Sequence, residues 1–370
     1  MKRTAMSRHL LTRRRWSPFL CLLCALCAAL AGCERRPLEV YYEGVAAVRV
    51  DIDWLDHFGV LPSGMSMLLY NESDTIIRNV VTNDVTSQKL DLAPGTYKLT
   101  IFSYSPDEYE SMRFLRLGNH YHAAARATAL TGHARDYWDS DVDYMFDPED
   151  IGVAADTITI TPEMLANQLR FIDYRKRGTI HPDTLDFVFH ERPDPMTVKL
   201  FVKAKVKRWQ SISSIQASIS GMADGFLINQ VYRTTVPGTL YMPDWKVYKM
   251  GDEADSLGVI TTQIASFGLP YGKELVALRD SADNILTFHI VLNDGNVQDC
   301  AYKVGKDIRY LTPTGKEAEI KYREDLYDLH IEVDLTETIV MPPTPHSKNG
   351  AGFDAEVDEW EDGGTFDFRF

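Results

Sequence analysis

Residues 198–207 read VKLFVKAKVK. Val198, Leu200, Val202, Ala204 and Val206 take every second place, and Lys199, Phe201, Lys203, Lys205 and Lys207 fill the places between. Side chains of a strand alternate between its two faces, so this spacing predicts a β-strand with one buried face and one basic, wetted face. The same period recurs along the chain. Val48, Val50, Ile52 and Trp54 alternate with Arg49, Asp51 and Asp53, and Tyr97, Leu99 and Ile101 follow the turn pair Pro94-Gly95. Leu286, Phe288, Ile290 and Leu292 run into Asn293-Asp294-Gly295, a strong hairpin turn, with Val297 to Val304 returning. Further strands are expected at Met65 to Tyr70, Thr75 to Val81, Met112 to Leu117, Tyr121 to Leu130, Asp156 to Ile160, Ile215 to Ile219, Leu329 to Leu335 and Thr365 to Phe370. One good helix start stands out, Thr161-Pro162-Glu163, with threonine as cap and proline in the first turn. Many short strands and a single helix predict an all-β chain built as β-sandwiches.

The chain has 370 residues, 45% hydrophobic and 25% charged. That composition is globular, and the length suggests two domains. The proline-rich stretch Glu191-Arg192-Pro193-Asp194-Pro195 is the expected linker, giving an N-terminal sandwich at residues 45–190 and a C-terminal one at 191–370. The formal net charge is −14. Such an acidic chain lacks the basic surface that sequence-independent nucleic-acid binding requires, so no nucleic-acid partner is expected.

The charge is unevenly placed. Residues 1–32 hold six basic side chains and no acid, which leaves 33 basic against 53 acidic residues beyond them, a net −20. Phe19 to Ala31 is an apolar run too short to span a bilayer as a helix but right for a secretory signal peptide. It ends in Leu30-Ala31-Gly32-Cys33, which resembles a bacterial lipobox. Cleavage after Gly32 would remove residues 1–32 and leave Cys33 as the acylated first residue of a tether at 33–44. Each buried acyl methylene contributes about 0.8 kcal/mol, so several chains hold a protein to the outer-membrane bilayer far more firmly than one. On this reading Cys21, Cys24 and Cys27 are discarded, and Cys300 remains as a free thiol in a strand, expected buried and inert.

Three stretches then resemble the fimbrillin superfamily of Bacteroidota, in particular its lipoprotein anchor (FimB-like) branch. They are Leu92-Ala93-Pro94-Gly95-Thr96-Tyr97, then Val198 to Val206 with Ile215 to Phe226, and Val357-Asp358-Glu359-Trp360. The resemblance implies two tandem transthyretin-like β-sandwich domains after the signal peptide. It also implies a non-enzymatic, surface-exposed outer-membrane lipoprotein that serves as anchor or accessory subunit of a pilus, or as a surface adhesin. Its partners would be fimbrial subunits, joined by strand addition, and the Thr365 to Phe370 strand either closes its own sheet or is lent to a neighbour. Shaft subunits of the family are cleaved near the first strand after a basic residue; Arg49 could mimic that place, whereas an anchor keeps its first strand. Surface lipoproteins of this phylum often carry several acids after the lipid cysteine, and here Glu34 is followed by Arg35 and Arg36. Asp-Ser/Thr motifs like those O-glycosylated in exported proteins of the phylum place candidate sites at Thr75, Thr157, Thr184, Ser256 and Ser281.

Other constellations are weaker. Asp139, Asp141 and Asp143 fill positions 1, 3 and 5 of a Ca²⁺-binding loop, but Tyr144 stands where the turn needs glycine and Asp150 where glutamate is expected, so a solvated acidic loop competes with a weak Ca²⁺ site. His120 and His122, with His133 nearby, lack a carboxylate framework for a metal. The lysines of 199–207 with Arg208 read either as an anion-facing surface or as a solvated face that discourages edge pairing. No nucleophile elbow, zinc-protease or phosphate-loop motif occurs, so neither enzyme nor cofactor is expected. The alternative function is a glycan-binding lipoprotein of a nutrient-uptake system, with Trp138, Trp209 and Trp245 as stacking platforms. The lipidation reading is tested by labelled palmitate: the chain is expected to take up label and sediment with membranes, and Cys33→Ala to lose both.

Overall fold

A computed structural model describes residues 44–116, 123–130, 142–168, 187–250, 257–270, 280–318 and 329–343. They belong to one compact unit, Gly44–Phe370. Among them, residues 162–168 are α-helical and the regular structure is otherwise strand with three short 3-10 turns. In chain order the first eleven strands are β1 (Ala46–Ile52), β2 (Met65–Tyr70), β3 (Ile76–Thr82), β4 (Ser87–Leu92), β5 (Gly95–Ser103), β6 (Met112–Arg116), β7 (Ala123–Ala127), β8 (Tyr144–Met145), β9 (Gly152–Ile160), β10 (Phe187–Glu191) and β11 (Asp194–Pro195). The next six are β12 (Val198–Lys207), β13 (Ile212–Ala223), β14 (Gly225–Leu227), β15 (Tyr232–Arg233), β16 (Pro237–Met242) and β17 (Lys246–Lys249). The last five are β18 (Leu257–Ser266), β19 (Ile285–Leu292), β20 (Val297–Lys303), β21 (Ile308–Leu311) and β22 (His330–Val340). The all-β expectation therefore holds.

The alternation read in the sequence is the alternation of burial. Along β1 and β12 every second side chain is buried, and these inward residues are the apolar ones. Two sheets, ordered β10-β1-β4 and β11-β9-β5-β2-β3, face each other across a core that includes Val48, Val50, Trp54, Met67, Leu69, Leu99, Ile101 and Ile158. Two more, ordered β17-β18-β12-β22-β21 and β20-β19-β13-β16-β8, enclose Leu200, Val202, Val206, Ile219, Phe288, Ile331 and Val333. A fifth sheet, β15-β14-β7-β6, joins strands from both halves of the sequence. Its Met112, Ala125 and Phe226 pack with Phe102 and Val153 from one sheet pair and with Ala223 and Phe267 from the other.

A buried carboxamide fixes that junction. Asn229, 6% exposed, donates to the Thr100 hydroxyl of β5 at 2.8 Å and accepts the Ala123 N–H of β7 at 2.9 Å. Val231, two residues on, holds φ 55° while buried. A β-branched residue rarely adopts this left-handed conformation, so the packed surroundings impose it.

Several expectations need correction. Glu191-Arg192-Pro193-Asp194-Pro195 is tied into sheets over much of its length: Glu191 ends β10, and Asp194 and Pro195 pair with Val153 and Gly152. Pro195 fits because β11 is an edge strand, where a missing amide costs least. Strand β12 lies between β18 and β22, so its lysines do not protect an edge. The long strand β18 escapes the apolar pattern because its inward places include Gly258, Thr262 and Ser266. Thr262 donates its hydroxyl to the Asp244 carbonyl, and Ser266 accepts the Gly268 N–H, so both are buried at low cost. The helix begins as expected, with the Met164 N–H donating to the Thr161 hydroxyl at 3.1 Å.

Replacing Asn229 by Ala strips partners from two groups at the junction. Chemical denaturation is expected to show a loss of about 2–4 kcal/mol, against less than about 0.5 kcal/mol for Thr75→Ala on the exposed β2–β3 turn.

Candidate functional site

Strand β1 is the first strand of the compact unit and begins two residues after Gly44. It lies between β10, paired parallel from Val48↔Phe187 to Ile52↔Glu191, and β4, paired antiparallel from Ala46↔Leu92 to Asp51↔Ser87. Among the described residues, the β10 ladder begins opposite Val48, one residue past Ala47. The Gln168 carboxamide meets Ala47 there: it accepts the Ala47 N–H at 2.8 Å and donates to the Ala47 carbonyl at 2.9 Å. Gln168 is 1% exposed and belongs to the helical turns at 162–168, so a side chain stands in for one residue of a strand.

The far end of β1 is held as firmly. The Asp53 N–H donates to the Glu191 carbonyl at 2.9 Å, and the Trp54 indole, 1% exposed, donates to the Val85 carbonyl at 2.7 Å. Asp53 turns the chain by accepting the Leu55 and Asp56 N–H groups. On the outer face Arg49 lies 3.0 Å from the Asp51 carboxylate, which also accepts the Ser87 hydroxyl at 2.9 Å. Arg49 sits in mid-ladder between Val188 and Lys89, so its backbone opens to a protease only if the sheet opens.

A cleft of about 220 Å³ opens where β1 and β10 end, lined by Asp51, Asp53, Thr86, His190, Glu191 and Arg192. Of its lining residues Arg192 lies 3.1 Å from Asp56, and His57 Nδ1 lies 2.7 Å from Asp194 of β11. Burial, assisted by the Asp156 charge, pushes the Glu191 carboxyl up from 4.5 to about 7. Nothing in the sequence marked Glu191 beyond its place in a proline-rich stretch.

The expected site residues are spread out. Cys33, Gly32, Asp139, Asp141, Thr184 and Ser256 lie outside the described residues, as do His120, His122, His133, Trp138 and the Thr365 to Phe370 strand. Asp143 is exposed just before β8, and among the described residues no three His, Cys, Asp or Glu side chains gather to hold a metal. Thr75 is exposed in the turn before β3, Thr157 is exposed within β9, and Ser281 opens a 3-10 turn. Cys300 is half-buried in β20 against the second core. Lys199, Lys205 and Lys207 are exposed, and Lys203 pairs with Asp334 at 3.3 Å. Trp209 and Trp245 are partly buried and pack against the second core. Trp209 packs over Gly258, where a Cβ would come within 2.8 Å of its ring, and the Trp245 ring lies 5.1 Å from that of Phe288, tilted by 60°, while its indole donates to the Met242 carbonyl.

The raised Glu191 makes a signed prediction. The folded state holds a proton there that the unfolded chain gives up at lower pH, so this contribution is full below about pH 4.5 and is lost as pH rises through about 7. Denaturation of Glu191→Gln is expected to match the native chain near pH 5 and to exceed it near pH 8 by up to about 3 kcal/mol.

No curated protein matches the sequence. Among solved structures, one described as a candidate adhesin from Bacteroides ovatus aligns with a TM-score of 0.50 at 17% identity, covering 85% of this chain and 99% of that one. The fimbrial anchor protein Mfa2 from Porphyromonas gingivalis aligns with a TM-score of 0.40 at 12% identity, covering 71% of this chain and 83% of that one. The first likeness shows a shared fold. A family model described as "Domain of unknown function (DUF5119)" matches residues 32–243, more than half of the sequence, and the chain belongs to that family.

Proposed function

We propose that the chain is a non-enzymatic lipoprotein of the outer membrane, exposed at the cell surface, which acts as an anchor or accessory subunit of a fimbrillin-type pilus or as a surface adhesin. The observation that carries this reading is the built-in first strand. A tether acylated at Cys33 would lead within a dozen residues to β1, which is paired on both sides and closed at its ends by Gln168 and Trp54. A subunit that must keep its first strand because its lipid holds that strand needs such a lock. The fold shared with the Bacteroides ovatus candidate adhesin, and the likeness of the three sequence stretches to the fimbrillin superfamily, support the same reading.

On this proposal the two facing sheet pairs are tandem transthyretin-like sandwiches, divided near residue 191 and preceded by the signal peptide at 1–32 and the tether at 33–44. The fifth sheet then bridges them. Partner subunits would join by strand addition, in which main-chain hydrogen bonds give affinity and alternate side chains give specificity. Thr75, exposed in a turn, is the best placed of the described glycosylation candidates. For the glycan-binding alternative, Trp209 and Trp245 pack partly against the core, which leaves less of each ring to stack on a sugar.

Deletion of the gene tests the proposal. Electron microscopy of the mutant is expected to show pili shed into the medium or altered in length, or adhesion assays to show weaker attachment. Pili and adhesion both unchanged would overturn it.

A further inference from the structure

Strand β3 is the outermost strand of the sheet β11-β9-β5-β2-β3 and, among the described residues, pairs with β2 alone. From Ile76 to Asp84 the hydrogen bonds are those of the β2 ladder and of the turns at its two ends. The outer edge of β3 therefore presents main-chain donors and acceptors to solvent, with Ile77 46% and Val81 62% exposed beside them. A register shift between Leu69 and Tyr70 sets Ile77 out of the ladder, so the regular edge is Arg78 to Thr82.

The pairing divides this edge between two faces. Val80 stands in line with Met67 and Ile101 and packs at the margin of the first core, and Arg78 stands in line with Leu69 and Leu99 on the same face. Asn79 and Val81 stand in line with Leu68 and Ser66 on the other face. Edge strands are commonly kept from casual pairing by a charge placed toward the core, and Arg78 is such a charge. A strand laid against β3 must bring it an acid or cover an unpaired guanidinium. Among the described residues neither Arg78 nor Asp84, an exposed acid two residues beyond Thr82, has an ionic partner. Six residues apart on one edge, they are separated by about 20 Å and cannot meet within one chain. A second copy turned end for end brings them together.

We propose that β3 is a docking edge for a second copy of this chain, paired antiparallel about a two-fold axis at Val80. Val80 then meets Val80 of the second copy. Arg78 lies opposite Thr82 of that copy, and the second Asp84 stands diagonally beyond, within reach of a long side chain. The axis makes this ion pair twice, because an isologous contact uses the same patch on both subunits. Val81 lies opposite Asn79 on the other face, and two five-stranded sheets become one continuous sheet. An edge this short makes a small interface, so the dimer is weak and forms with rising concentration.

Sedimentation equilibrium of the full chain in density-matched detergent tests this. The chain is expected to dimerise reversibly. Arg78→Asp is expected to weaken the dimer by about tenfold, the shift that two exposed ion pairs turned repulsive supply. Arg78→Asp combined with Asp84→Arg is expected to restore it. Both side chains are exposed, so the fold survives either change. Disulfide trapping gives an independent reading. Residues directly opposite in an antiparallel pair have Cα atoms about 4.5–5.5 Å apart, a span that a disulfide bridges. Under mild oxidation Val80→Cys is expected to give a covalent dimer, and Thr75→Cys, on the turn outside the pairing, to stay monomeric. A chain monomeric up to millimolar concentration, a dimer indifferent to Arg78→Asp or not restored by the charge swap, or trapping at Val80→Cys no greater than at Thr75→Cys would overturn the inference.

Discussion

A sheet with apolar side chains on both faces has to be covered twice, and the sheet β11-β9-β5-β2-β3 is one. Met67, Leu69, Leu99 and Ile101 point into one core, while Leu68, Phe102, Val153 and Ala155 point into another. The first face is met by β1 and its neighbours. The second is met by strands inserted after β5 and strands that follow β13, segments about a hundred residues apart which must find each other to make a common sheet. The two facing pairs therefore share a third core, and parting them would expose Phe102, Phe226 and Phe267 together. Asn229 adds direction to that apolar contact, since its carboxamide meets the Thr100 hydroxyl and the Ala123 amide in one arrangement only.

Much of this was legible where one face of a strand is buried and the other wet. β1, β2, β12, β19 and the hairpin at Asn293-Asp294-Gly295 follow directly from period-two alternation and turn chemistry. Legibility fails where a side chain satisfies the backbone or another side chain out of sequence. β18 hides because Thr262 and Ser266 are buried but hydrogen-bonded, Thr262 donating to the Asp244 carbonyl and Ser266 accepting the Gly268 N–H. β4 hides because Leu90 and Leu92 are its only apolar residues. The stretch at 191–195 looked unpaired because proline and charge dominate it, yet an edge position tolerates Pro195, and the Glu191 carbonyl holds Asp53.

The candidate site was half visible. The alternating pattern placed β1, and Arg49 was singled out within it, but the pattern could not show Gln168 acting as strand, because that contact spans 121 residues and leaves no periodic trace. Nor could it show the acid at Glu191, whose raised proton affinity arises from burial at the meeting of strand ends. Its lysine counterpart on β12 was legible as a face, but its place in the middle of a sheet depends on pairing with β18 and β22.

The geometry around β1 also determines how the molecule carries load. A pull on the chain ahead of Ala46, directed along the strand, cannot unzip the β10 and β4 ladders one rung at a time. It strains their hydrogen bonds side by side, together with the two that Gln168 makes at the point where the force enters. Strands loaded in shear yield only when many bonds fail at once. The first strand of the compact unit is thereby arranged to bear tension applied to the chain ahead of it.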